Sequence, residues 1–372
     1  MISDWKVCQL GDVLTLQRGF DLPTRKRQDG DTPVVSSSGI SGYHNEAKVK
    51  APGVVTGRYG TLGEVFYISK DFWPLNTTLY VRDFKGNDQK FISYFLQTLN
   101  LAHQNAAGAV PGLNRNALHL LPVKCPPLPT QRKIAAILSA YDDLIENNTR
   151  RIEILQEMAR SLYREWFVNF HFPGHEQVKM VDSELGLIPE GWEFGRLDDA
   201  LILQRGFDLP TKQRKEGSIP IYASTGITGT HNEAKVKAPG VVTGRSGSLG
   251  TVIYVDEDFW PLNTTLWVKE FRRVTPLYAF YLLSDLKLEQ YNSGAAVPTL
   301  NRNDIHGLPV VLPPQRILEQ FNQFVEPLLV LKKNLIKRND NLRPTRNLLL
   351  PKLISGEIDV ENLDINTGEI AA

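Results

Sequence analysis

Cysteine and long apolar runs are scarce in this sequence. Its 372 residues include two cysteines, Cys8 and Cys125, which are too few for a zinc site or a disulfide framework and are expected to be incidental thiols. No apolar stretch approaches the roughly 18–20 residues that a membrane span needs. The polar N-terminal residues lack the basic and apolar segments of a signal peptide. We therefore expect a soluble protein of two or three domains in a reducing compartment.

Motifs for catalysis and cofactor binding are missing as well. There is no G-x-x-x-x-G-K-S/T phosphate-binding loop, which excludes an ATP-driven motor of that class. His44 and His231 have no cysteine or second histidine nearby and are not predicted as metal ligands, and His119 and His306 are expected to be structural. We predict no catalytic residue, no metal ligand and no bound cofactor in this chain.

One pair of segments leaves a catalytic alternative open. The E-x-K segments at 46–48 and 233–235 resemble half of a metal-dependent nuclease site, which needs another carboxylate to hold Mg²⁺. Asp31 is suitably placed in the first copy, but its counterpart in the second is Ser218. The substitutes would be Asp29 and Glu216. A stand-alone Mg-dependent nuclease is therefore an alternative that rests on a short and common match.

A long internal repeat organises the chain. Three segments recur at a constant offset of 187 residues, and without a gap from Trp5 to Pro122 the paired positions are identical at 66 of 118 places. The segments are 16–24 and 203–211, 44–58 and 231–245, and 71–79 and 258–266. A period this long indicates one domain present twice rather than a solenoid of short units.

A helical segment follows each copy. The sequence from Thr130 to Phe167 is helical in character, and within it residues spaced three and four apart run from Leu138 to Trp166. The same spacing runs from Phe321 to Leu353, which predicts two heptad seams. Four polar residues interrupt these seams, and polar seam residues fix register and partner at a cost in stability. They are Asn148, Lys332, Asn339 and Arg346. Pro344 is expected to kink the second helix.

The predicted fold class is α+β, with two similar β-rich domains and two long helices. Short β-branched and aromatic runs bounded by Gly, Pro and Asp predict strands within each copy. The predicted segments are a domain at 1–129, a helix at 130–170, a linker at 171–188, a domain at 189–314, a helix at 315–356 and a tail at 357–372.

Basic residues in Gly-, Pro- and Ser-rich loops are the candidates for binding. The net charge of +1 predicts no partner, but residues 1–129 carry 14 Lys and Arg against 10 Asp and Glu. Arg can bind guanine with two hydrogen bonds, and Lys binds phosphate. The glycine-rich loops at 57–63 and 244–250 are either tight turns or backbone nests for phosphate. The predicted DNA-binding residues are Arg18, Arg25, Arg27, His44, Lys48, Lys50, Arg58, Tyr59, Arg115, Arg205, Lys212, Arg214, His231, Lys235, Lys237, Arg245, Ser246 and Arg302.

The layout resembles the specificity subunits of type I restriction-modification systems. The similar features are Trp5 followed by Leu10-Gly11-Asp12, the P-L-P-x-Q-R turn at 127–132, and the segment from Lys352 to Ile358. The resemblance covers essentially the whole chain. It implies a sequence-specific DNA-binding subunit of the prokaryotic cytoplasm, with two target-recognition domains separated by two long antiparallel helices in a pseudo-two-fold arrangement.

The resemblance also implies partners that carry the chemistry. Two methyltransferase subunits would bring S-adenosylmethionine to methylate adenine in double-stranded DNA, and restriction and translocase subunits would bring ATP and Mg²⁺. We expect some seam residues to face a partner subunit or each other. The predicted subunit-docking residues are Tyr141, Asn148, Leu155, Leu162, Lys332, Asn339 and Arg346.

The repeat predicts a DNA target that is a near-palindrome interrupted by a spacer. Two domains that share their loop residues should bind the same or nearly the same bases, and a two-fold relation inverts one half. A few differences between the copies are expected to relax or change one base in one half. They are Tyr43/Thr230, Tyr59/Ser246, Ser36/Ala223 and Gly112/Thr299. A protein-only scaffold is the other alternative, and it is disfavoured because the duplicated polar loops serve no evident packing need.

Overall fold

The computed structural model describes residues 5–103, 112–294 and 296–367 and divides into two compact units. Unit 1 comprises residues 1–150 and 336–372, and unit 2 comprises residues 151–335. Each unit therefore contains one copy of the repeat together with part of each long helix. The sequence prediction treated each domain and each long helix as a separate segment. In the structure, the boundary between the two units falls within each long helix.

Unit 1 holds nine strands and three short helices before its first long helix, counted over the residues described. The strands are β1 (Lys6–Gln9), β2 (Thr15–Arg18), β3 (Thr32–Ser36), β4 (Gly39–His44), β5 (Gly53–Gly57), β6 (Val65–Ile68), β7 (Trp73–Pro74), β8 (Thr78–Asp83) and β9 (Pro122–Cys125). The helices are α1 (Leu10–Val13), α2 (Gln89–Thr98) and α3 (Arg115–His119).

These strands form three sheets, and the largest lies in the core of the unit. Its order is β2-β8-β5-β6 with antiparallel neighbours, and the inner strand β5 is buried along its whole length. A smaller sheet has the order β4-β3-β7, and β1 pairs with β9. The amphipathic helix α2 packs against β5 and β6 and buries Phe91 and Phe95, and the Asp88 side chain caps its first turn by accepting from the Phe91 backbone N–H.

Unit 2 repeats this architecture. Its strands are β10 (Met180–Ser183), β11 (Gly186–Pro189), β12 (Glu193–Arg196), β13 (Leu201–Arg205), β14 (Ile219–Ala223), β15 (Gly226–His231), β16 (Gly240–Gly244), β17 (Val252–Val255), β18 (Trp260–Pro261), β19 (Thr265–Phe271) and β20 (Pro309–Leu312). Its short helices are α5 (Leu197–Ala200), α6 (Pro276–Asp285) and α7 (Arg302–His306). The sheets β13-β19-β16-β17 and β15-β14-β18 reproduce the strand orders of unit 1.

The segment predicted as a linker contains ordered structure. β10 and β11 form a hairpin, in which Gly186 takes a positive φ of 96° and the Ser183 hydroxyl donates to its carbonyl. Phe172 and Ile188 are buried in the core of unit 2. The segment therefore packs on the domain instead of only connecting two domains.

The two long helices are α4 (Leu128–Tyr163), extended by a π-helical turn at Arg164–Val168, and α8 (Gln315–Ser355). Within unit 1 they pair antiparallel, because Asp142 contacts Arg346 whereas the later residue Asn148 contacts the earlier residue Asn339. α8 continues through Pro344, so this proline does not end the helix.

The predicted heptad seams are the buried faces of these helices. In unit 1, Ile134 and Leu138 of α4 share a core cluster with Leu353 of α8, and in unit 2, Tyr163 and Phe321 do the same. No helix within the described residues combines the length and apolarity required to cross a membrane.

Candidate nucleic-acid interface

Several predicted DNA-binding residues lie exposed at strand ends and turns, in equivalent places in both units. Arg18 and Arg205 end β2 and β13, and Arg205 lies 3.7 Å from the Asp208 carboxylate. Arg25 and Lys212 belong to short 3-10 turns. The exposed pair that begins α3 and α7 consists of Arg115 and Arg302. Side chains in these places are accessible to a phosphate backbone.

Arg27 and Arg214 have a local structural role that the sequence prediction missed. The Arg27 Nη1 atom donates to the Ser41 carbonyl at 2.9 Å, and the Arg214 Nη1 atom donates to the Thr228 carbonyl at 3.2 Å. Each arginine thereby fixes the β-hairpin that follows its own loop. The guanidinium groups are therefore partly occupied, which weakens their candidacy as direct DNA contacts.

His44 and His231, which were predicted to contact DNA, have buried imidazoles in this structure, which disfavours a direct contact. Their exposures are 5% and 4%, and each ring packs edge-on against a tryptophan, Trp73 or Trp260. The His44 Nδ1 atom accepts from the Gln28 backbone N–H at 3.0 Å, and His231 repeats this bond. These histidines hold the basic loop against the small sheet and leave no ring surface for a nucleic acid.

The E-x-K lysines are held by their own glutamates. Lys48 forms an ion pair with Glu46, Lys235 lies 2.6 Å from Glu233, and the Lys48 ammonium lies 4.8 Å from the centre of the Trp73 ring. The hydrogen bond from Lys48 lowers the pKa of Glu46. Across the part of the chain that the structure describes, no group of three His, Cys, Asp or Glu side chains is placed to hold a metal. The nuclease alternative therefore gains no support from this geometry.

Lys50 and Lys237 are tethered but remain accessible. Each ammonium lies 2.6 Å from an aspartate, Asp71 or Asp258, and the lysine side chains are 91% and 87% exposed. Hydrogen bonds from Lys50 and from the Ala51 backbone lower the pKa of Asp71. An exposed pair of this kind contributes little to stability, so either lysine can exchange its carboxylate for a phosphate at small cost.

Each glycine-rich loop contains one arginine, and the backbone around it makes the same hydrogen bonds in both units. Arg58 and Arg245 follow β5 and β16, and their backbone N–H groups both donate to a threonine carbonyl at 2.8 Å. The Arg58 guanidinium stacks on the Tyr59 ring, with 4.3 Å between its Cζ atom and the ring centre. Ser246 replaces this tyrosine in unit 2. The loops connect the antiparallel strands β5 and β6 in unit 1 and β16 and β17 in unit 2, and the two half-buried arginines lie at their beginning.

The histidines expected to be structural have that role. The Nε2 atoms of His119 and His306 accept from the Leu16 and Leu203 backbone N–H groups, at 2.9 and 3.1 Å. Burial lowers the pKa of both imidazoles, and Arg115 lowers that of His119 further. They join α3 and α7 to the edge strands β2 and β13.

Some of the predicted seam residues face each other in the structure. Asn148 and Asn339 are 7% and 5% exposed, and the Asn148 amide donates to the Asn339 carbonyl oxygen at 2.9 Å, so these residues face each other. Leu155 is also buried. The Arg346 guanidinium binds Asp142. The residues of this set that remain partly accessible are Tyr141, Leu162, Lys332 and Arg346.

The small sheets also carry two exposed apolar residues that the sequence analysis did not single out. Ile40 and Ile227 occupy equivalent positions on β4 and β15 and are 55% and 61% exposed. Tyr43 lies on the same strand as Ile40 and is 57% exposed. The isoleucine is the same in both copies and lies near a polar loop, and this feature of the sequence could have indicated Ile40 and Ile227.

Comparisons with known proteins agree with this architecture. The model of the type I restriction modification DNA specificity domain matches residues 2–157 and 189–338, one match for each copy of the repeat. The type I restriction enzyme MjaIX specificity subunit of Methanocaldococcus jannaschii is 26% identical over 97% of this chain and 95% of its own length. A putative type I specificity subunit of Mycoplasma pneumoniae is 22% identical over 88% of this chain and 90% of its own length.

A solved structure shows the same fold. The crystal structure of the type I restriction-modification S subunit from M. genitalium superposes with a TM-score of 0.71 at 18% identity, covering 94% of this chain and 96% of that one. The chain therefore belongs to the type I restriction-modification specificity family, in which it is a non-catalytic subunit that supplies DNA sequence specificity.

Proposed function

We propose that each unit binds one half of a bipartite DNA target. The observation that carries this proposal is the matched set of exposed basic residues on equivalent loops in the two units. Arg25 and Lys212 sit on equivalent 3-10 turns, and Arg115 and Arg302 begin equivalent short helices. Phosphate contacts from such residues position a protein on the duplex, and base contacts then give the specificity.

We further propose that the two halves of the target are similar and inverted. The segment from His44 to Arg58 is identical to that from His231 to Arg245, and the loops it forms have the same backbone hydrogen bonds in both units. Identical loops on the same fold are expected to bind the same bases. The sequence repeat is therefore expected to appear as a repeat in the DNA.

Selection from a library of randomised DNA duplexes tests whether each unit binds one half of the target. The assembled complex should enrich an interrupted motif with two halves. Arg25→Glu should erase base preference in one half and Lys212→Glu in the other, because each adds a negative charge to one loop. Lys70→Glu, an exposed charge reversal outside the predicted set, is the matched control. Loss of both halves from one substitution would contradict the proposal.

We also propose that α4 and α8 dock two methyltransferase subunits, which bring S-adenosylmethionine, and that restriction subunits with ATP and Mg²⁺ join this assembly. Leu144 and Leu331 are equivalent under the 187-residue offset and are 55% and 39% exposed. One such residue in each unit fits one partner for each unit.

Mass measurement of the purified complex tests the docking proposal. Leu144→Asp and Leu331→Asp should each remove one methyltransferase subunit, because a carboxylate would be buried without a partner. Asn147→Asp, at an exposed position of the same helix, is the control and should leave the mass unchanged. A complete complex with both leucines replaced would rule out these positions.

A further inference from the structure

The glycine-rich loops at 57–63 and 244–250, which carry Arg58 and Arg245, differ at Tyr59/Ser246 and at Thr61/Ser248. The first of these positions contacts a further residue that differs between the units. Tyr59 forms an isolated antiparallel bridge with Gly112, and Ser246 forms the same bridge with Thr299. The Arg58 carbonyl accepts from Leu113 at 3.0 Å, and the Arg245 carbonyl accepts from Leu300 at 2.8 Å. The side chains of this pair therefore differ between the units, whereas the backbone bridge and the hydrogen bond to the arginine carbonyl are the same.

In unit 1, the glycine and the tyrosine depend on each other. A Cβ atom on Gly112 would lie 2.4 Å from the Tyr59 ring, closer than real contacts allow. The ring therefore occupies the space that a threonine would need. With the ring in this position, Arg58 stacks on its face, and the Arg58 Nη2 atom lies 3.2 Å from the tyrosine hydroxyl. The cation–π contact and the hydrogen bond restrict the guanidinium.

In unit 2, the arginine is held differently. Ser246 offers no ring, and the Arg245 Nη1 atom donates to the Asn263 carbonyl at 3.3 Å. Thr299 fills the place of Gly112, and its hydroxyl lies 3.0 Å from the Val297 carbonyl. Two guanidinium groups on matching backbones are thus oriented by different neighbours.

We propose that the pairs Tyr59–Gly112 and Ser246–Thr299 determine how strictly each unit discriminates one base pair. This rests on the proposed function, since it presumes that each unit binds one half of the target. A guanidinium fixed by an aromatic ring loses less conformational freedom on binding and tolerates fewer geometries. The half-site bound by unit 1 is therefore the stricter one at the base pair that its arginine contacts.

Exchange of the pairs within the assembled complex tests the proposal by selection from randomised duplexes. Tyr59→Ser with Gly112→Thr should lower discrimination at one base pair of one half about tenfold, the effect of about one good base contact. Ser246→Tyr with Thr299→Gly should raise discrimination in the other half by a similar factor. The control exchanges Arg82→Lys with Lys269→Arg, both exposed and equally charged.

Single substitutions show whether the two residues of a pair act together or independently. Gly112→Thr alone should disturb binding more than the double exchange, because the threonine and the tyrosine ring compete for one space. Unchanged base preference in both halves after the double exchanges would overturn this inference while leaving a bipartite target intact. Absence of any bipartite motif with the unaltered chain would instead overturn the proposed function.

Discussion

Arginine side chains at loop tips bind DNA well only when the loop holds the guanidinium in a usable position. Arg58 and Arg245 meet this condition, since each follows a buried strand and has a backbone fixed on both sides. Arg27 and Arg214 instead bind the hairpin that follows them, because their guanidinium groups donate to the Ser41 and Thr228 carbonyls of β4 and β15. Arg245 also donates to a carbonyl, that of Asn263, so it is this link to the hairpin that distinguishes the two groups. Residue type alone could not separate these two groups of arginines.

Replacing either loop arginine should weaken binding to the specific target. Arg58→Ala and Arg245→Ala are each expected to cost about 1–3 kcal/mol, the magnitude of a lost base contact or a well-placed phosphate contact. Titration of labelled duplex at one fixed salt concentration measures this cost. Arg82→Ala is the control and should bind almost normally. Wild-type affinity for Arg58→Ala would remove this residue from the interface.

The stability of the chain should decrease in mild acid through His119 and His306. Both must be neutral to accept a backbone N–H, and burial lowers their pKa below the ordinary value of 6.5. The unfolded imidazole therefore binds its proton at higher pH than the folded one. Their contribution is fully present above about pH 6.5 and is lost as the pH falls through the lowered pKa.

Denaturant unfolding between about pH 7 and pH 5 checks this sign. The double variant His119→Gln, His306→Gln should be less stable at pH 7, and its stability should depend less steeply on pH than that of the wild type. An equal pH dependence in the two proteins would show that other groups cause the acid sensitivity.

At the scale of the elements, polar residues in the helix seam fix how α4 and α8 pair within unit 1. Asn148 donates to Asn339, whose own amide lies 3.3 Å from the Ile145 carbonyl. Asp142 accepts from the Tyr94 hydroxyl at 2.6 Å and also binds Arg346. These groups satisfy one another in only one register, as polar seam residues do in coiled coils.

Breaking one member of the asparagine pair should cost more than replacing both. Asn339→Leu leaves the buried Asn148 amide without its acceptor, a loss of about 1–3 kcal/mol. Asn148→Leu together with Asn339→Leu removes both polar groups and should recover most of that stability. A double-mutant cycle of unfolding free energies measures the coupling. Additive effects would contradict a direct interaction between these side chains.

The helices and the duplication were predictable because their patterns are local or exact. Leucine and isoleucine spaced by three and four residues mark the seam, and the 187-residue offset marks the two domains. The hairpin between Met180 and Pro189 escaped prediction because its short strands alternate weakly between apolar and polar residues. Most of the hairpin is exposed, and it is attached to the domain through Ile188, which is buried with Phe172 in a core formed by distant residues.

The candidate site was less predictable because roles there depend on contacts between residues far apart in sequence. His44 ends β4 and Lys48 follows a few residues later, yet the His44 ring is buried against Trp73, whereas the Lys48 ammonium lies over the same tryptophan and its side chain is partly exposed. The contact between Tyr59 and Gly112 joins residues that lie still farther apart in sequence. A sequence repeat shows that such residues recur, but not which of them face solvent.

At the scale of the whole molecule, the central claim is that a duplicated domain binds a duplicated DNA site. Single-molecule methylome sequencing of a host that expresses this chain with its methyltransferase subunits tests it most directly. We predict a methylated motif with two inverted halves of a few base pairs, similar or identical, each containing an adenine and separated by a spacer. A methylated motif with two unrelated halves, or with no interruption, would contradict the account.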